Sequence, residues 1–340
     1  MNKHIHLLLV ATFTLLVSVT GSAFAGEHKV IELPEVDPLS ITGDIITAGS
    51  STVFPLTTAM AERFEEEGYT GVITVDSIGS GAGFERFCAS AETDISNASR
   101  PIKDSEIEEC EANGRTPIEF RIGTDALAIS VSIENDYVDN LTIEQLGMIF
   151  SGEVTSWNQI NSDWPADPIT IFSPGTDSGT FDYFVEEVLE PFAEAQGIED
   201  DLIGDAAREY ILSVEGTQFS ENDNVLVEGI AGSSGAIGYF GFAYYLENTD
   251  VIRVVSIDGV DANGETAEDG SYPLARPLFI YSDATIMTEN SPVADFINFY
   301  LSNVDDIIIE VGYFPASVEA LNQSKENWLV AMGLSETIED

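Results

Sequence analysis

The chain of 340 residues has little positive charge: 12 lysines and arginines stand against 60 aspartates and glutamates, which gives a formal net charge of −48. Because nucleic acids are bound through basic surfaces, this balance excludes them as partners. An anionic ligand would approach such a surface against a repulsive field. A site for a small anion must therefore rely on local donors, and the acidity itself is most simply explained by solubility or a salty habitat.

Histidine is also scarce, since it occurs only at positions 4, 6 and 28. The usual general base and the usual transition-metal ligand are therefore missing from most of the chain. The acidic stretch 258–269 does not have the spacing of an EF-hand loop. We expect no metal, no cofactor and no catalytic residues, so the sequence favours binding over catalysis.

Long apolar runs are absent except near the amino terminus. Residues 7–19 follow Lys3 and are apolar, but they are too few to span a bilayer comfortably. Ala23-Phe24-Ala25 has the small-x-small pattern of a cleavage site. We expect residues 1–25 to be a secretory signal peptide cleaved after Ala25, and the mature protein to be periplasmic. An uncleaved anchor is the alternative.

Cysteine occurs only twice, at Cys88 and Cys110. Export to an oxidising compartment favours a disulfide between them, and two free thiols are the alternative. A bridge closing a loop of this length adds about 3 kcal/mol to stability.

What the chain does have is three glycine-flanked clusters of hydroxyl residues. They are Gly49-Ser50-Ser51-Thr52, Gly79-Ser80-Gly81-Ala82-Gly83 and Asp177-Ser178-Gly179-Thr180. Each follows an apolar β-like run and precedes a helical pattern. A helix start offers unpaired N–H groups and a positive dipole end, so three starts that converge would hold a small oxyanion. The alternatives are simple helix capping for the first cluster and a tight turn for the second.

One arginine is well placed for such a site. Arg100 ends a short predicted strand and precedes a proline. Its guanidinium offers forked donors that match oxyanion geometry. A surface ion pair with one of the many carboxylates is the alternative.

Strands alternate with helices along the chain, which predicts an α/β fold. Strands are expected at 43–49 and 71–75 and helices at 53–67 and 84–91, while Ser105 and Glu108 suggest a capping box. The long β-like stretch 118–133 is suited to carry the chain from one lobe to another. The 315 or so residues left after cleavage suit two domains.

Taken in order, several of these segments resemble a known family. The signal peptide, 49–55, 79–84, 94–102 and 178–180 are similar to the periplasmic phosphate-binding protein of bacterial high-affinity phosphate ABC importers, over roughly residues 41–334. The resemblance implies a type II periplasmic-binding-protein fold with two lobes and the ligand in the interlobe cleft. It implies a lead-in at 26–42, lobe 1 at 43–124 and 252–340, and lobe 2 at 125–251.

The resemblance and the clusters together give an expected set of phosphate-binding residues: Ser51, Thr52, Val53 by its backbone N–H, Ser80, Ser99, Arg100, Thr176, Asp177, Ser178, Gly179 and Thr180. Two positions depart from the family pattern. Ser99 stands where the family has an aspartate that accepts the phosphate proton, and Pro174 stands where it has an arginine. We expect Arg100 to restore the positive charge and Asp177 to accept the proton.

The expected function is therefore that of an extracytoplasmic solute-binding protein. It would capture inorganic phosphate and deliver it, as a monomer, to a membrane-embedded ABC permease. A receptor for sulfate or molybdate is the alternative within this class. A secreted phosphatase or hydrolase using Ser178, or a structural or adhesive protein, are the alternatives outside it. The match of residues 177–180 to the aspartic-protease signature carries little weight, because that chemistry needs a second carboxylate copy and none occurs.

Overall fold

The computed structural model describes residues 30–176, 178–199 and 202–334. The predicted signal peptide, its cleavage site and Asp177 lie outside these residues. The strands in the described part are β1 (Ile45–Gly49), β2 (Ile73–Ser77), β3 (Ile95–Ala98), β4 (Ile118–Ser132), β5 (Asn140–Leu141), β6 (Thr170–Pro174), β7 (Gln218–Ser220), β8 (Ala236–Gly241), β9 (Ile252–Val254), β10 (Ser256–Ile257) and β11 (Ala275–Ser282).

Helices fill most of the connections between these strands. They are α1 (Phe54–Glu66), α2 (Ser80–Phe84), α3 (Asp104–Ala112), α4 (Ile143–Phe150), α5 (Trp157–Ile160), α6 (Gly179–Phe184), α7 (Glu190–Ala195), α8 (Ile203–Ser213), α9 (Asp223–Ala231), α10 (Phe242–Glu247), α11 (Gly264–Glu268), α12 (Ala284–Glu289), α13 (Ser291–Val311) and α14 (Val318–Ala331). Single π-helical turns at Glu85–Ala89 and Val185–Leu189 follow α2 and α6, and a 3₁₀ turn spans Pro38–Ser40. The predicted α/β class is confirmed.

One continuous sheet runs through the molecule in the order β2-β1-β3-β11-β4-β8-β6-β7, and β9 also pairs with β4. The strands β1, β2 and β3 are parallel, as are β6, β7 and β8, while β11 is antiparallel to both β3 and β4. The 15-residue strand β4 belongs to both halves: its first part pairs with β11, and its last part pairs with β8 and β9.

Two large hydrophobic cores flank this shared strand, and a third, smaller cluster surrounds the two cysteines. One contains buried residues from Ile41 to Ile122 and again from Leu278 onward, and the other runs from Ala126 to Leu274. The second core includes residues 252–274, which the sequence had led us to expect in lobe 1. They lie there because β9 pairs with β4 and the Tyr272 hydroxyl donates to the Leu127 carbonyl at 2.9 Å.

The first predicted helix matches α1 closely. Pro55 lies in its first turn, and Leu56, Met60 and Phe64 are buried at helical spacing. The predicted capping box at Ser105 and Glu108 is wrong, because α3 begins at Asp104. The Glu106 carboxylate accepts from the Lys103 N–H at 2.8 Å and fixes the helix start there.

The predicted disulfide is confirmed, since Cys88 is bonded to Cys110. The bridge joins the π turn after α2 to α3 and is packed with Phe84, Phe87 and Tyr281. In the described part of the chain, no helix combines the length and apolar composition that a membrane crossing needs.

Candidate functional site

The three hydroxyl clusters come together at the carboxyl ends of β1, β2 and β6, where α1, α2 and α6 begin. Two adjoining cavities lie there, of about 350 and 460 Å³, and Ser51 lines both. The smaller is lined by Ser51, Thr52, Ser80, Ser99 and Arg100 from the expected set, and the larger by Ser51, Ser178, Gly179 and Thr180. The helix starts therefore face one cleft between the two cores.

The two sides of this cleft are in close contact at Gly179. A methyl group on its Cα would lie 3.0 Å from the Ser51 carbonyl oxygen and 3.1 Å from the Thr52 nitrogen. Beside it, the Ser51 hydroxyl donates to the Asp182 carboxylate at 3.5 Å. Glycine at position 179 thus permits the start of α6 to meet the start of α1.

Several hydroxyls in the cleft already cap backbone N–H groups. The Ser50 oxygen accepts from the N–H groups of Thr52 and Val53, at 3.2 and 3.4 Å, and the Ser178 oxygen accepts from that of Thr180 at 3.2 Å. Val53 is fully buried. The N–H expected to bind a ligand is therefore paired within the protein.

Across the smaller cavity, the Ser80 oxygen accepts from the Ser99 N–H at 3.1 Å, and their hydroxyls lie 3.3 Å apart. Thr176 is exposed and lines neither cavity. Asp177, expected to accept a ligand proton, lies outside the described residues.

The charged centre of the cleft is Arg276 on β11, which the sequence analysis missed. Its Nη2 donates to the Thr52 hydroxyl and to the Gly179 carbonyl at 3.4 Å, and its Nη1 donates to the Ser99 hydroxyl at 3.4 Å. Its guanidinium carbon lies 3.5 Å from the ring centre of Tyr183. This one side chain thus contacts Thr52 before α1, Ser99 after β3 and Gly179 at the start of α6.

Asp125 holds Arg276 from behind. The two residues are directly opposite on β4 and β11, and the Arg276 Nε donates to the Asp125 Oδ2 at 3.3 Å. Asp125 is 2% exposed, and burial raises its pKa while the guanidinium acts in the opposite direction. The carboxylate does not line either cavity, so it orients the arginine while the remaining guanidinium N–H groups face the cleft.

Arg100 lines the smaller cavity but is strongly engaged elsewhere. Its two terminal nitrogens donate to the Glu106 carboxylate at 2.9 and 2.7 Å, and its guanidinium carbon lies 5.4 Å from the ring centre of Phe84. The ion-pair alternative for this residue thus describes its main contact. The structure places Arg276, not Arg100, at the meeting point of the clusters.

Carboxylates also line the smaller cavity, namely Asp182, Glu186 and Glu187. Asp182 forms an ion pair with Arg208 from α8, in addition to its contact with Ser51. Glu186 lies 3.7 Å from Arg276, measured from Oε2 to Nη1. Partial desolvation raises the pKa of both Glu186 and Glu187.

A sequence signal for the missed pair existed. Asp125 interrupts the apolar stretch 122–131, and Arg276 stands in the apolar stretch 274–280, in a chain with 12 basic residues. A charge inside a buried strand needs a partner, since burying it alone is costly. Opposite charges on two such strands indicate a buried pair.

The chain was compared with known proteins. The family model described as the PBP superfamily domain matches residues 36–304. Protein SphX of Synechococcus elongatus is 37% identical over 297 residues, covering 84% of this chain and 81% of its own. The phosphate-binding protein PstS of Staphylococcus saprophyticus is 34% identical over 278 residues, covering 80% of each chain.

A solved structure gives the same assignment. The crystal structure of a possible phosphate binding protein from Planctomyces limnophilus is 34% identical, with a TM-score of 0.75, and the match covers 86% of this chain and all of the other. The expected two-lobed periplasmic-binding-protein fold is thereby confirmed. The chain belongs to the PBP superfamily and, within it, to the family that contains the phosphate-binding protein PstS and Protein SphX.

Proposed function

We propose that this protein captures inorganic phosphate in the cleft between its two cores and delivers it to a membrane-embedded ABC permease. The observation that carries the proposal is the convergence of three hydroxyl-rich helix starts on one cleft, in which the buried guanidinium of Arg276 contacts Thr52, Ser99 and Gly179. Hydroxyls, helix-start N–H groups and a forked cation are the donors that a tetrahedral oxyanion needs. The similarity of the chain to the phosphate-binding protein PstS supports the same ligand.

Arg276 takes the central role in this proposal. In the structure, its terminal nitrogens donate hydrogen bonds to uncharged oxygens of Thr52, Ser99 and Gly179. A phosphate oxygen would be a better acceptor, because it carries negative charge and because guanidinium and phosphate often form two parallel hydrogen bonds. The proposed contacts are Arg276 together with Ser51, Thr52, Ser80, Ser99, Arg100, Ser178, Gly179 and Thr180.

Closure of the cleft would bury the anion and exclude water, which strengthens each of these interactions. The donors come from the sides of both cores and from Arg276 on β11, so a bound anion would favour the closed arrangement. The contact between Gly179 and Ser51 supports such a closure. The permease would then recognise the closed, ligand-bound form.

We propose that residues 1–25 direct export, that cleavage follows Ala25, and that the mature protein acts in the periplasm as a monomer. The role is binding and not catalysis. In support, the Ser178 hydroxyl serves as a helix cap to Thr180, and the three histidines of the chain lie at positions 4, 6 and 28.

The test is calorimetric titration of the mature protein with phosphate, sulfate and molybdate. We expect phosphate to bind with the highest affinity and Arg276→Ala to abolish binding. Arg63→Ala, which removes an exposed arginine of α1 that pairs with Glu67, should leave binding intact. Circular dichroism checks that both variants are folded. No heat with any of the three anions contradicts the proposal, and a preference for sulfate or molybdate favours the other receptor class. Hydrolysis of a chromogenic phosphate ester would favour the enzyme alternative.

A further inference from the structure

A carboxylate beside the middle of β4 joins elements of the two large cores. Glu268 is the last residue of α11, whose Ala267 is buried in the second core. Its Oε2 accepts hydrogen bonds from the Arg121 guanidinium at 2.8 Å and from the Thr124 hydroxyl. Its Oε1 accepts from the Ser317 N–H at 2.9 Å. Both oxygens of this carboxylate are therefore engaged, and their donors lie on β4 and at the start of α14.

The donors at the two ends of this set belong to the first core. Arg121 precedes Ile122, which is buried in that core, and Ser317 caps α14, whose Trp328 packs in the same core. The side chains of Arg121 and Glu268 are 19% and 21% exposed. Because the ion pair is largely removed from water, it is screened less than a surface pair. We call the contacts of Glu268 with Arg121, Thr124 and Ser317 the hinge clamp.

The hinge clamp lies on the face of β4 opposite the cleft. Consecutive side chains of a strand point to opposite faces. Thr124 contacts Glu268, whereas the next residue, Asp125, pairs with Arg276, which lines the smaller cavity. Glu268 itself lines neither cavity. Any effect of Glu268 on a ligand must therefore pass through the relative position of the two cores, and not through contact.

The loop between α13 and α14 connects the hinge clamp with the cleft. Thr124 exchanges two backbone hydrogen bonds with Phe314, at 2.9 and 2.8 Å, and the Phe314 ring lies 5.1 Å from that of Phe242 in the second core. The neighbouring Tyr313 donates from its hydroxyl to the Thr52 carbonyl at 2.8 Å, just before α1. One short loop thus meets the middle of β4, the second core and the wall of the cleft.

We propose that Glu268 is a positioning residue that holds the two cores in the closed arrangement and thereby raises the affinity for the bound anion. In the structure, the cleft walls touch at Gly179 while the donors of the hinge clamp lie within hydrogen-bond distance of Glu268. Hydrogen bonds weaken steeply when their geometry changes, so a rotation that separates the cores would break part of this set. Contacts made in one of two states shift the equilibrium toward that state. This inference rests on the proposed function for its ligand, but the position of the cores is measurable without one.

The decisive experiment compares the mature wild type with Glu268→Gln, which keeps the size of the side chain but removes its charge and one acceptor oxygen. We expect calorimetry to show phosphate binding weakened about tenfold, because apparent affinity falls with the population of the binding-competent state. X-ray scattering should give a larger radius of gyration for the ligand-free variant than for the ligand-free wild type. The ratio of phosphate to arsenate affinity should not change, because Glu268 lines neither cavity.

The matched control is Glu265→Gln, which makes the same change of charge at an exposed position of the same helix. It should leave both affinity and scattering unchanged. Thr124→Val removes one donor hydroxyl of the hinge clamp and should weaken phosphate binding in the same direction as Glu268→Gln. A purely structural role would lower the melting temperature, followed by circular dichroism, without changing the affinity or the ligand-free scattering.

The outcomes separate this inference from the proposed function. Unchanged or stronger phosphate binding by folded Glu268→Gln overturns the inference while the proposed function stands, and so does a changed ratio of phosphate to arsenate affinity. If Glu268→Gln does not fold, the same criteria apply to Thr124→Val. Wild-type protein that binds no phosphate defeats the proposed function, and the ligand-free scattering of the variants then decides whether the clamp positions the cores.

Discussion

Arg276 and Asp125 face each other across two antiparallel strands that connect the cores, and their side chains form a buried ion pair with an N–O distance of 3.3 Å. Because Asp125 is almost fully buried, it depends on the arginine for compensation. The pair therefore links the stability of the fold to the cation that faces the cleft.

This pairing predicts that removing Arg276 alone destabilises the protein more than removing Arg276 and Asp125 together. Arg276→Met leaves the Asp125 carboxylate buried without a partner, and we expect a loss of about 3–5 kcal/mol in the free energy of unfolding at pH 7. The double variant Arg276→Met/Asp125→Leu removes both charges and should recover most of that loss. Urea denaturation measures both. Equal stability of the two variants would show that the carboxylate does not need its partner, contrary to this argument.

The contact at Gly179 predicts a defect in closure without a defect in folding. An added methyl group in Gly179→Ala would press against the Ser51 carbonyl and the Thr52 nitrogen at 3.0–3.1 Å. We expect phosphate affinity to fall about tenfold. X-ray scattering should show less compaction on ligand addition.

The control for this variant is Gly204→Ala in α8. There the nearest atom is a Glu190 carboxylate oxygen at 3.4 Å, and the residue lines neither cavity. Unchanged affinity in Gly179→Ala would mean that the cleft binds its ligand without this contact.

The disulfide predicts a stability change that leaves the site intact. Replacing both Cys88 and Cys110 by serine opens a loop with a sequence separation of 22 residues, and the expected cost is about 3 kcal/mol. The bridge lines neither cavity, so phosphate affinity should not change in the folded variant. Denaturation with and without a reductant gives the measurement. A loss below about 1 kcal/mol would contradict the prediction.

Asp223 lines the larger cavity, and its raised pKa predicts that the stability of the folded protein depends on pH. Burial, with a smaller contribution from Glu221, raises its pKa from 3.8 to about 6. The folded state then binds this proton more tightly than the unfolded chain, so stability declines as pH rises from 3.8 to about 6. Asp223→Asn removes that decline.

We therefore expect the Asp223→Asn variant to gain about 1–2 kcal/mol on the wild type at pH 7, a difference that fades toward pH 4. Unfolding curves at several pH values measure it. Asp205→Asn, which also removes an acid from the first turn of a helix, is the control for the loss of a helix-start charge. A stability difference between Asp223→Asn and the wild type that grows toward low pH would contradict the raised pKa of Asp223.

The features that the sequence made predictable are those with a local cause. Apolar runs and helical spacing predicted β1 and α1. The clusters at Ser51, Ser80 and Ser178 were correctly placed at helix starts, because each lies between an apolar run and a helical pattern that are adjacent in sequence. The predicted start of α3 was two residues too late, because the helix-start N–H group is that of Lys103 and it donates to Glu106 rather than to Glu108.

The features that were missed depend on pairing between distant segments. Arg276 meets Asp125 only because β11 lies beside β4, and 151 residues separate them along the chain. The partner of Arg100 was likewise not apparent, because the chain offers 60 aspartates and glutamates as candidates. The boundary of the second core along the sequence was mispredicted for the same reason. It depends on the pairing of β9 with β4, which lies far earlier in the chain.

A final consequence concerns the length of β4. Side chains alternate from face to face along a strand, and this strand serves two cores in succession. Inserting or deleting a single residue near its middle would leave one lobe in place and turn the other lobe's inward side chains toward solvent. The number of residues in this segment is therefore under tighter constraint than their identities, and engineered fusions or insertions should avoid it.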